Sequence, residues 1–153
     1  MENQNSTQES DLQQPRGTSR GFDTNAVDDP QAPAYYSQRS IMIFSVVFSV
    51  IFGAALLIFN LKENKPKWLV ALYAILYTVF MLSVLSNFER NTGITLAANA
   101  LGAYFLITVF WNKYVGRATL YRKKSITKPL IISIIITVPL AALAIYSAMH
   151  PEL

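Results

Sequence analysis

Arg117, Arg122, Lys123, Lys124 and Lys128 fall within one stretch, Phe110 to Leu130, that contains no acidic residue and includes Lys113 near its start. Cations crowded in this way can hold an anion, and beside a membrane each contributes roughly 1 kcal/mol of attraction to an anionic surface. These five residues are therefore candidates for contact with anionic lipid or with an acidic partner. A plainer role ranks above that one: long apolar runs flank the stretch, and a basic block between apolar runs marks the cytoplasmic side. Asn99 is an amide set inside an apolar run, where an unsatisfied donor is costly, so it is expected to hydrogen-bond across a helix interface. Tyr73 and Tyr77 lie one helical turn apart, and packing on a neighbouring helix is expected of them before ligand binding.

Other chemistry is sparse. The chain has no cysteine, which removes disulfides, thiolate nucleophiles and cysteine metal sites. Its one histidine, His150, stands at the C-terminal end without companion ligands, and Glu63 and Glu89 are expected at opposite faces of the membrane, too far apart to act as an acid and base pair. No phosphate-binding glycine loop, dinucleotide fingerprint or HExxH motif occurs. No enzyme, metal, cofactor or catalytic residue is therefore expected.

The elements that carry these residues are read from hydropathy. Hydrophobic residues make up 52% of the 153 and charged residues 14%, too apolar for an ordinary soluble domain. The expected fold class is all-α, a polytopic membrane protein with four transmembrane helices arranged as two hairpins behind a disordered N-terminal tail. Residues 1–38 are rich in Gln, Asn, Ser, Asp and Pro and form that tail. Residues 39–150 form the membrane domain, with spans at about 41–61, 68–88, 94–112 and 130–149. A cleaved signal peptide is not expected, so the first span serves as its own insertion signal. Ser45, Ser49 and Gly53 recur every four residues and read as a small-residue face for another helix. Ser133, Thr137, Ala141, Ala144 and Ala148 make a similar face in the last span, which Pro139 is expected to bend.

The net charge of +4 is carried by the membrane part, because acidic residues outnumber basic ones in the tail. Nucleic acid is not an expected partner, since the basic residues adjoin the spans. Lys62, Lys65 and Lys67 join the cluster between Phe110 and Leu130 on one face, so both basic connectors are expected in the cytoplasm and both termini outside. Trp68 and Trp111 are expected at the cytoplasmic interface.

At "FSVVFSVIFGAALLIFNLK" and "FWNKYVGRATLYRKKSITKPLIISIIIT" the chain resembles a group of small bacterial four-span inner-membrane proteins of unknown function. Gly53 to Leu61 and Tyr121 to Leu130 carry the resemblance. It implies a bacterial cytoplasmic membrane and brings no activity, substrate or site residue with it. The functional expectation is a non-enzymatic interaction or accessory subunit, whose partners are the bilayer, anionic lipid, a second copy or another membrane protein. The alternative is a small oligomeric channel or transporter, with Asn99, Thr95, Tyr73 and Tyr77 lining a path.

Overall fold

The computed structural model describes Asp23, residues 25–87 and residues 91–150. The tail expected over 1–38 therefore lies mostly outside the described residues, as do Glu89 and the C-terminal end. The described chain is all-α apart from two short paired strands. Helix α1 is Gln38–Val47, α2 is Val50–Asn60 and α3 is Lys67–Leu85. Helix α4, Thr92–Phe105, continues without interruption into π-helical turns over Leu106–Gly116, and α5 is Thr127–Met149. Strand β1, Ala34–Tyr35, pairs in parallel with β2, Arg122–Lys123.

Among the described residues three helices are long and apolar enough to cross a membrane: Lys67–Leu85, Thr92–Gly116 and Thr127–Met149. The first apolar run, expected as a fourth, forms two shorter helices instead. That run breaks at Phe48 and Ser49, where the Phe44 carbonyl accepts from both Phe48 N–H (3.0 Å) and Ser49 N–H (3.3 Å). Ser49 is extended, and its carbonyl starts α2 by accepting from Phe52 N–H at 3.0 Å. Serine suits such a boundary, because its short polar side chain competes with the helical ladder. The chain then turns back on itself.

The two limbs pack as an antiparallel hairpin. Ser45 and Gly53, expected on one face of a single helix, instead meet across the turn, and a Cβ at Gly53 would collide with the Ser45 hydroxyl. At the open end Asn60 closes the hairpin by bonding Tyr36 in both directions: Tyr36 N–H donates to Oδ1 and Asn60 Nδ2 donates to the Tyr36 carbonyl, each at 2.8 Å. Each limb is about 15 Å long, half the roughly 30 Å hydrocarbon core.

The hairpin packs against α3 and α4, and Ile41, Phe44, Val50, Leu57, Val70 and Leu106 form the centre of the core. Buried and half-buried positions in the π turns come as Leu106 and Ile107, then Phe110 and Trp111, then Tyr114 and Val115. They advance four residues a turn, wider than the α-helical period of about 3.6. Helix α5 differs from the rest: Ser133 is its one buried residue, and Ile131, Ile135, Leu140 and Leu143 are exposed. It runs through Pro139 as one helix.

Candidate functional site at the basic end

The basic connector is folded onto the N-terminal segment. Arg122 N–H donates to the Pro33 carbonyl at 2.9 Å and Lys124 N–H to the Tyr35 carbonyl at 2.8 Å. Further along, Tyr121 N–H donates to the Asn25 carbonyl (3.1 Å) and Val27 N–H to the Tyr121 carbonyl (2.9 Å), while the Asn25 amide donates to the Arg117 carbonyl. Residues 25–36 thus form a strap along residues 117–124. Backbone hydrogen bonds therefore join the tail segment to the basic connector, two segments expected from the sequence on opposite faces.

Tyr121 pins the strap. It is 1% exposed, its ring lies edge-on to Trp111 at 5.5 Å, and its hydroxyl donates to Asp23 Oδ1 at 3.1 Å. Burial, and then the adjacent Asp23 carboxylate, push the Tyr121 phenol above its ordinary range. Asp23 is itself buried, accepts from Arg39 N–H in the first turn of α1 at 3.3 Å, and pairs with Lys123 at 3.4 Å. A carboxylate at a helix N-terminus is favoured by the helix dipole. Trp111, expected at the interface, is buried beneath Tyr121, whereas Trp68 is exposed.

The five candidate cations do not converge on one point. Lys123 is committed to Asp23, and Lys124 lies 4.9 Å from the centre of the Tyr36 ring. Arg117 and Arg122 are exposed, and Lys128 is exposed in the first turn of α5. What does converge is a different set. A cavity of about 330 Å³ opens beside the strap, lined by Tyr35, Asn60, Lys62, Lys65, Tyr114 and Thr119 among others. Sequence spacing conceals it, because only the return of the hairpin brings Asn60 and Lys62 beside Tyr35. The polar residue closing an apolar run, followed by lysines, was the available signal.

Deeper in the fold, Asn99, Tyr73 and Tyr77 bond between helices, whereas Thr95 bonds within its own. Asn99 Nδ2 donates to the Val46 carbonyl at 3.4 Å, close to the break between α1 and α2. Tyr73 and Tyr77 donate to the α4 carbonyls of Gly102 (3.1 Å) and Ala98 (2.6 Å), and Thr95 donates to the Asn91 carbonyl. Among the described residues, no group of three His, Asp or Glu side chains comes together. Comparison with known protein families, with curated proteins and with solved structures finds no match for the chain.

Proposed function

We propose that the chain is a non-enzymatic integral membrane protein of the bacterial cytoplasmic membrane, acting as an interaction subunit through α5. In this reading α3, α4 with its π turns, and α5 cross the bilayer, while the α1–α2 hairpin enters to about half depth and leaves on the side it came from. The strap, the connector 61–66 and the basic connector then share the cytoplasmic face, while the link between α3 and α4 and the C-terminal end of α5 are outside. The charges support this arrangement. Arg39 joins Lys62, Lys65, Lys67 and the Lys113–Lys128 cluster on the positive side.

The observation that carries the interaction role is the exposure of α5, with Ser133 alone buried. Lipid provides no hydrophobic drive for helix association, so pairing there relies on close packing of small residues. Ala141, Ala144 and Ala148 present such a face, uncovered by the rest of the chain. Because the chain has no cysteine, single substitutions give clean oxidative crosslinking. In native membranes Ala144→Cys should crosslink to a second copy or a co-purifying protein, and Tyr146→Cys, on the opposite face, should not. Equal behaviour of the two positions would sink the proposal. Nothing in the geometry favours a solute path, because the polar groups of Asn99, Thr95, Tyr73 and Tyr77 are engaged by helix carbonyls.

A further inference from the structure

We infer that the cavity between the hairpin end and the last π turn is a binding site for a phosphate group, supplied by an anionic lipid headgroup or by free phosphate. Its lining brings together two basic residues, Lys62 and Lys65, with Tyr35, Tyr114, Asn60 and Thr119. No carboxylate is in that lining. Compact ammonium charges hold phosphate from several directions, and tyrosine hydroxyls add donors. The volume, about 330 Å³, is in the range of small-molecule sites and exceeds what a lone ion needs.

The walls are held in place before any ligand arrives. Asn60 is fixed by its two bonds to Tyr36, and Thr119 by its hydroxyl donating to the Val115 carbonyl at 2.6 Å. Gly116, at φ 102°, makes the left-handed turn that brings Thr119 back beside the helix end. A site already ordered spends less binding energy on ordering itself. The nearby acids do not cancel the lysines. Asp23 is taken up by Tyr121, Arg39 N–H and Lys123, and Asp29 accepts from Gln31 N–H at 2.8 Å. Glu63 is exposed between the two lysines in sequence and outside the lining. Among the described residues neither Lys62 nor Lys65 has an ion-pair partner.

A lipid as the source rests on the membrane orientation proposed above, in which the cavity opens at headgroup level. The test is independent of that orientation. Full-length protein in nonionic detergent is mixed with equal amounts of phosphatidylglycerol and phosphatidylcholine, and retained lipid is read by native mass spectrometry. The wild type should prefer phosphatidylglycerol by on the order of tenfold, and Lys62→Gln with Lys65→Gln should abolish the preference. Arg39→Gln with Lys67→Gln removes the same charge from the same end outside the lining and should leave the preference intact. Displacement of the lipid by millimolar inorganic phosphate would identify a site that also takes the free ion, and resistance to it would identify a lipid site. No preference in the wild type, or equal loss in both double variants, would overturn the inference.

Discussion

Ser45 and Gly53 show how much of this fold depends on single atoms. The Ser45 hydroxyl is buried between the hairpin limbs with no hydrogen-bond partner among the described residues. Such a group has lost its water without recompense, at a cost of about 1–3 kcal/mol. Ser45→Ala should therefore leave stability unchanged or raise it by about 1 kcal/mol in denaturant unfolding in detergent. Gly53→Ala should act oppositely, since the added methyl also meets the Ile41 carbonyl at 2.9 Å. A loss of about 1–3 kcal/mol is expected in the same assay, the usual range for overpacking. The tyrosine bonds are weaker. Tyr77→Phe should cost only about 0.6 kcal/mol, as interhelical hydrogen bonds in membranes do, and the α4 ladder remains intact.

Among the elements, the strap has the most distinctive response to solution conditions. Tyr121→Ala removes a buried ring from between Trp111 and Tyr35, and a loss of about 3–5 kcal/mol from this end is expected. Hydrogen exchange over residues 25–36 should rise while α3 and α4 stay protected. The raised phenol also sets a pH response. Below about pH 10 Tyr121 is protonated whether folded or unfolded, and it contributes no slope. Above that value the unfolded chain releases the proton more readily than the folded one, so strap stability falls as pH rises. Tyr121→Phe should remove that part of the alkaline slope, measured by exchange at residues 25–36.

The same elements mark how far the sequence could be read. Helices α3 and α5 were legible because each is one long uninterrupted apolar run, and α4 because Asn91 and Gly93 set off its start. The hairpin was not, because hydropathy averages over Ser49, and Ser45, Ser49 and Gly53 fit a single helix as well as they fit a folded pair. The strap was hidden for another reason. Residues 25–36 bury little apolar surface by themselves, and their hydrogen bonds are repaid only against Tyr121–Lys124, far away in sequence. The cavity inherits both difficulties, since one wall needs the hairpin and another the strap.

For the whole molecule, the proposed half-depth return of the first apolar run would change the parity of the crossings. Reporters active only outside the cytoplasm should be silent when fused before Asp23 or inserted at Ser125, and active when fused after Leu153. A signal from the N-terminal fusion would restore a full first crossing and refute the hairpin topology. The charge asymmetry agrees with the silent outcome, as Arg39 and the three connector lysines then lie with the basic cluster.

The bond between Tyr121 and Asp23 also dictates an order of events during synthesis. Its two ends are 98 residues apart, so at roughly 5–20 residues per second the N-terminal segment waits about 5–20 s for its partner to emerge. Two crossings must be placed correctly before Tyr121 appears beside it. In the proposed topology, a chain whose first apolar run crossed fully, or in which only one of α3 and α4 crossed, would leave Asp23 and Tyr121 in different compartments. Closure of the strap is thus a covalent-free record that an even number of crossings preceded it, and an unclosed strap is an exposed, cleavable mark of a chain that missed or added one.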